Sequence, residues 1–265
     1  MNYTIAIYAL VWVFIIWAFF AVVVHADYYE TLGLYLKENP NVCIMEADPN
    51  YTEYHDEIYD LTRSAINNWE YTLVQETGGD WNFPIYQYPF ESHDNKTPRD
   101  FPNCDIFMTF EKFSSGKTLG TTSFDYSNSK HKYSYITTWI HNYENTKITI
   151  TIGGENPSVS KKIEQKHLPL EAIYNILLHE FGHTLGLAHY QTLDDNCKSL
   201  NENPCADRSI MFPSIDPFSS NIKQITDEDI QMVVRIYGED GFGYPNPVWN
   251  PKSCDFLDGK LDKCR

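Results

Sequence analysis

Basic residues are scarce in this 265-residue chain: 20 Lys and Arg stand against 36 Asp and Glu, a formal net charge of −16 at neutral pH. Such an excess of negative charge repels phosphate backbones and anionic headgroups, so nucleic acid and a polybasic membrane patch are excluded as partners. The cysteines form no CxxC pair, which argues against a structural zinc site of the finger or ribbon type. No internal repeat, low-complexity tract or Gly/Ser- or Pro-rich linker interrupts residues 40 to 240, and one domain is expected there. With 42% hydrophobic residues the chain can bury a core, so the disordered and fibrous classes fall away.

Charge is missing altogether from residues 1 to 26, and residues 5 to 24 are apolar throughout, about the length that crosses a bilayer core. Val24-His25-Ala26 suits signal cleavage and favours a cleaved signal peptide, while the length of the run and the lack of a basic start leave an uncleaved anchor as the alternative. Both readings place the rest of the chain outside the cytosol, secreted or membrane-anchored through residues 5 to 24. The six cysteines, Cys43, Cys104, Cys197, Cys205, Cys254 and Cys264, suit disulfides in an oxidising compartment. Proximity along the chain suggests Cys197 with Cys205 and Cys254 with Cys264, which leaves Cys43 with Cys104. The triplets Asn50-Tyr51-Thr52 and Asn95-Lys96-Thr97 are compatible with glycosylation.

Periodicity predicts three helices and about five strands. Tyr54, Ile58, Leu61, Ala65, Trp69 and Leu73 recur at helical spacing before Gly78-Gly79. Strand candidates are 42–47, 83–88, 105–110, 133–140 and 147–152, rich in β-branched and aromatic residues. A second helix opens at Pro169 and can end at Gly186. A third begins at Thr226, a capping residue followed by acids, buries Ile230, Val233, Val234 and Tyr237, and stops at Gly238.

The chemistry is concentrated in the second helix, at His179-Glu180-Phe181-Gly182-His183-Thr184-Leu185-Gly186-Leu187-Ala188-His189. His179 and His183 lie one turn apart on one face and can reach a single metal ion. Gly186 can take a positive φ and turn the chain sharply, bringing His189 to the same ion. Three neutral imidazoles suit Zn²⁺ and leave a fourth position open, the arrangement of a catalytic site. Glu180 stands beside them as a base for water. Five fixed positions, each matched by chance roughly one time in twenty, make an accidental occurrence about one in ten thousand for a chain of this size. His55, His93, His131, His141 and His167 have no partner at ligand spacing and are expected in solvated or core roles.

HEFGHTLGLAH resembles the extended zinc-binding helix of the metzincin metallopeptidases, and Ser209-Ile210-Met211-Phe212-Pro213 resembles their Met-turn. The Leu185-Gly186-Leu187 wording and ITDEDIQMVVRIYG (225–238) are most similar to the matrixin branch. DLTRSAINNWE (60–70) and CDIFMTF followed by Thr118-Leu119-Gly120 extend the likeness over about residues 42 to 238. The resemblance implies an α+β, zincin-like fold: a twisted mixed sheet of about five strands, three main helices with the active-site helix beneath the sheet, and a Met-turn. It implies His179, His183 and His189 as ligands of one catalytic zinc, Glu180 as general base, and Met211 as a supporting residue that is no ligand. It further implies that the strand near 118–122 pairs with extended substrate and that 214–224 walls a specificity pocket.

The sequence departs from that family where a PRCGxPD latency motif and a calcium- and zinc-binding loop would stand: Asp125, His131 and His141 do not match the loop's spacing. Calcium is thus possible but has no recognisable site. Pro213 occupies the place of a metal-binding Tyr found in some metzincins, so no fifth protein ligand is expected. The expected organisation is a signal peptide or anchor at 1–26, a catalytic domain at 27–240 and a short Cys-containing extension at 241–265. The expected activity is that of a monomeric zinc-dependent endopeptidase acting on extracellular protein or peptide. Two alternatives are a catalytically silent binding module of the same fold and a membrane-tethered envelope component.

Overall fold

Short β-branched and aromatic runs pair into the sheet, and three amphipathic stretches form the helices that cover it. The computed structural model describes residues 28–50, 52, 54–89, 101, 103–113, 118–127, 130–144, 148–151, 158–161, 164–191, 209–213, 215–243, 255–257 and 260–262. In chain order the elements are β1 (Tyr28–Thr31), β2 (Val42–Met45), α1 (His55–Thr77), β3 (Ile85–Tyr88), β4 (Ile106–Phe113), β5 (Gly120–Ser127) and β6 (Lys130–Glu144). There follow β7 (Ile148–Thr151), β8 (Ser158–Lys161), β9 (Glu164–His167), α2 (Leu170–Thr184), β10 (Leu187–Gln191), α3 (Asp227–Tyr237), β11 (Asp255–Leu257) and β12 (Lys260–Asp262).

The main sheet runs β3-β2-β4-β6-β5. Its first four strands are parallel neighbours, β5 runs antiparallel to β6, and β9 pairs antiparallel with the far end of β6. Every residue of β2 is buried, as a central strand of a parallel sheet requires. The expected five-strand mixed sheet with three helices is therefore present, with one change of membership. The 147–152 candidate is a strand, β7, but it pairs with β8 in a separate ribbon. The fifth place in the sheet belongs to β5, whose GTTSFDYS alternates weakly in hydropathy because one of its faces and its outer edge are not packed into the core.

α1 ends where Gly78 takes φ +71° and its N–H bonds to the Val74 carbonyl, a left-handed helix stop that only glycine adopts without strain. Pro169 is the residue just outside α2, with Leu170 the first helical one, so the proline caps the helix where the sequence pattern had it as the opening residue. α3 carries a reciprocal capping box between Thr226 and Asp229. Its buried face comprises Asp229, Ile230, Met232, Val233, Ile236 and Tyr237, whereas Val234, expected inside, is only partly covered.

α2 is buried almost all round and forms the centre of the molecule. The fully buried Trp69 of α1 donates its indole N–H to the Leu178 carbonyl at 3.0 Å, and Phe83 meets Phe181 edge-on with centroids 5.1 Å apart. Each such buried large side chain stabilises the fold by about 1.5–3 kcal/mol. The Tyr237 hydroxyl accepts the Leu36 N–H at 3.0 Å, tying the N-terminal segment to α3. The expected Cys43–Cys104 disulfide is formed, with Cα atoms 5.7 Å apart, and joins β2 to the start of β4. Residues 1–26, Asn95-Lys96-Thr97, Tyr51 of the other triplet, and the expected pairs Cys197–Cys205 and Cys254–Cys264 lie outside the described residues. Among the described residues no helix is long and apolar enough to cross a membrane.

Candidate metal centre

Helical spacing brings His179 and His183 together, with ring centroids 4.8 Å apart. α2 then stops at Thr184, and Gly186 takes φ +92° as the chain reverses. A Cβ at this glycine would lie 2.5 Å from the Leu34 carbonyl oxygen, so both the turn and the close passage of the N-terminal segment require its absence. Beyond the turn, β10 pairs antiparallel with β1, and the register slips between Tyr29↔Tyr190 and Thr31↔Leu187. A bulge of this kind re-aims a side chain, and His189 lies within it. One ring nitrogen from each of His179, His183 and His189 falls within 4.8 Å of the others. It is the one such group of three potential ligands among the described residues.

The outer ring nitrogens determine which inner ones are free. His179 Nδ1 lies 2.8 Å from the Ile210 carbonyl and His183 Nδ1 lies 2.7 Å from the Leu187 carbonyl. A carbonyl only accepts, so each Nδ1 carries the proton and donates it, and each Nε2 presents a lone pair inward. His179 Nε2 and His189 Nε2 are 3.1 Å apart. Two nitrogens on a tetrahedral ion at metal–nitrogen distances near 2.05 Å stand about 3.3 Å apart, so the spacing is that of two ligands of one cation. Burial, and after it the neighbouring His183 and His189, hold His179 well below the ordinary imidazole pKa. Burial lowers His183 to about 4 despite the favourable Leu187 carbonyl, and lowers His189 too, the most exposed of the three. All three are therefore neutral at pH 7 and able to donate to a metal. The donor set fits a divalent cation, and His189 marks the side from which it is reached.

A tight turn beneath the helix closes the site. The Phe212 N–H bonds back to the Ser209 carbonyl at 3.2 Å, the Met211 carbonyl accepts the Tyr190 N–H at 2.9 Å, and the Ile210 carbonyl is the His179 partner already described. Met211 is fully buried, and a Cβ on Gly182 would come within 2.4 Å of its sulfur, so α2 rests directly on this side chain. The turn is anchored in turn by Asp229. This buried carboxylate accepts the Ser209 hydroxyl, the Ile210 N–H at 3.1 Å and the Thr226 N–H at 2.9 Å. From the sequence, Asp229 has only a place near the positive end of a helix dipole; its reach to the turn depends on a contact between distant segments.

Glu180 points at the sheet edge. The Thr122 hydroxyl donates to Glu180 Oε2 at 2.6 Å, with the Glu180 backbone carbonyl 3.0 Å away. Gly120, two residues earlier on the same face of β5, lets the carboxyl lie flat on the strand: a Cβ there would fall 2.6 Å from Oε1 and 2.7 Å from Cγ. Burial pushes the Glu180 carboxyl up to about 7, while the Thr122 hydroxyl pulls the other way by favouring the ionised form. A carboxyl near that value exchanges protons readily at neutral pH.

The remaining sequence candidates stand apart. His55 pairs with exposed Asp56 at 3.1 Å, and His167 Nε2 lies 2.7 Å from the Thr52 hydroxyl. His131 and His141 belong to β6; His93 lies outside the described residues, as does Ser214 at the head of the expected pocket wall. The segment holding Asn221 and Lys223 is fastened to α2 by buried Asn175, which donates to the Asn221 carbonyl at 2.7 Å and accepts the Lys223 N–H at 2.8 Å. No protein-family model matches the chain, and no curated protein matches it either.

Proposed function

We propose that the protein is a zinc-dependent endopeptidase of the metzincin type, matrixin-like in its site and its zincin-like arrangement of sheet, helix and turn. The observation that carries this reading is the convergence of the neutral His179, His183 and His189 with Glu180 held against an edge strand. The resemblance assigns these residues as three ligands and a base, and the close seat of Gly182 on Met211 supports reading Met211 as the residue beneath the helix. A bound zinc ion supplies Lewis acidity, polarising a peptide carbonyl and acidifying water. Glu180 takes the proton from the attacking water and passes it to the departing amine nitrogen. The carbonyls of Ile210 and Leu187 keep the imidazoles turned inward throughout. β5 ends the strand order, and its outer backbone groups suit pairing with an extended peptide, which would lay the scissile bond across Glu180.

The Cys43–Cys104 bond supports an extracytoplasmic place of action, because such bonds persist in oxidising compartments. The test is cleavage of an unstructured protein by the zinc-loaded chain beside Glu180→Ala carrying equal zinc. Activity in the parent, reduced by about 10²–10⁴-fold in the variant, is the expected result. A folded, zinc-loaded parent that cleaves none of several substrates, or a variant as active as the parent, overturns the reading.

A further inference from the structure

β5 carries more of the site than an edge for substrate. Its alternation points Gly120, Thr122 and Phe124 inward, while Thr121, Ser123 and Asp125 are exposed. Two successive inward positions bear on one side chain: a Cβ at Gly120 would fall on Oε1 and Cγ of Glu180, and the Thr122 hydroxyl donates to Oε2. A glutamate on a helix ordinarily samples several rotamers about its three side-chain torsions. Here one oxygen is tethered and the other is seated in the space a side chain at residue 120 would fill. Ser or Thr is required at residue 122 to donate, and the strand's pairing with β6, Thr122 opposite Ile136, fixes where the donor stands.

We propose that Thr122 is a positioning residue for Glu180. Its hydroxyl holds the carboxylate in one orientation beside the three imidazoles, and it does so from the strand on which a substrate would lie. The base and the substrate-binding edge then form one rigid unit, and a peptide paired to β5 meets a carboxylate already aligned. This inference rests on the endopeptidase reading, since alignment of a base has meaning only where a proton is moved.

The test uses zinc-loaded parent, Thr122→Val and Thr122→Ser, with steady-state kinetics and zinc affinity by chelator competition. Valine keeps the size and β preference of threonine and removes only the donor; serine keeps the donor. Thr122→Val should lower kcat about ten-fold with KM and zinc affinity near those of the parent, and Thr122→Ser should recover most of the loss. A readout independent of turnover is the proton spectrum of the metal-free protein. A slowly exchanging hydroxyl resonance should be present in the parent, absent in Thr122→Val and displaced in Glu180→Ala. Unchanged kcat in Thr122→Val overturns the proposal. So does a variant in which kcat, KM and zinc affinity all worsen and serine restores nothing, since that marks a structural role. If the parent binds zinc and shows the hydroxyl resonance but cleaves nothing, the contact stands, the endopeptidase reading falls, and the positioning role falls with it.

Discussion

At the residue scale, Gly182 and Gly186 bear on the site in different ways. Gly182 meets the Met211 sulfur and, less closely, the Trp69 ring, so an added methyl there would ask side chains rather than backbone to yield. Gly186 meets a backbone oxygen and holds φ +92°, so nothing nearby can move out of the way without shifting the N-terminal segment. Gly186→Ala should cost about 1–3 kcal/mol of stability and weaken zinc binding as well, because the turn it strains is the one that delivers His189. Thermal melting with chelator titration checks both. A variant that loses stability yet binds zinc as tightly as the parent would separate the turn from the ligand. These requirements were partly legible in the sequence. Gly186, three residues after His183, announces a chain reversal by its spacing alone. The glycine at 120 and the hydroxyl at 122 announced nothing, since their purpose lies in a carboxyl sixty residues away in sequence and adjacent only in the fold.

At the scale of elements, helices were the easier part to read. α1 and α3 declare themselves through apolar spacing and through their stops at Gly78 and Gly238, which are local chemistry. β5 and the β1–β10 pair were harder, because an edge strand need not alternate strongly and a two-stranded pair depends on a distant partner. In the sequence, the pairing of Cys43 with Cys104 follows only once the other four cysteines are assigned to one another. In the fold it has a clear place, fastening parallel neighbours β2 and β4 across 61 residues of chain. Closing a loop of that length is worth about 4 kcal/mol in the chain-entropy account. Replacing both cysteines by alanine should therefore lower the urea midpoint by an amount of that order while leaving zinc binding intact. Loss of zinc affinity in the folded double variant would mean that the bond also shapes the site.

For the whole molecule, the buried imidazoles couple folding to pH. His179 and His183 have folded-state pKa values below the ordinary imidazole value near 6.5, and His183 is lowered to about 4. As pH falls below about 6.5 the unfolded chain takes up protons that the folded chain refuses, so their contribution to stability declines until His183 itself protonates. Glu180, raised to about 7, acts in the opposite sense. Its folded carboxyl holds a proton that the unfolded one has already released, so its contribution is greatest at low pH and is lost as pH rises through 7. With the histidines outnumbering the one carboxyl, the metal-free protein should lose stability on acidification from pH 6.5 toward 4. The dependence should be shallower in a His183→Asn variant. Urea unfolding of chelator-treated samples across that range decides the matter, and parallel curves for parent and variant would contradict it.

The pairing of β1 with β10 has a kinetic side. The third histidine is held by a strand that hydrogen-bonds to residues near the other end of the described chain, and the turn beneath it is anchored by α3, later still. Contacts so far apart in sequence carry a large loop-closure cost and form slowly. During synthesis the helix bearing His179 and His183 would emerge well before the segments that align them. A chain still threading out of the ribosome thus holds all three histidines without the turn that orients His179. Any metal ion would then be gripped firmly only as folding ends.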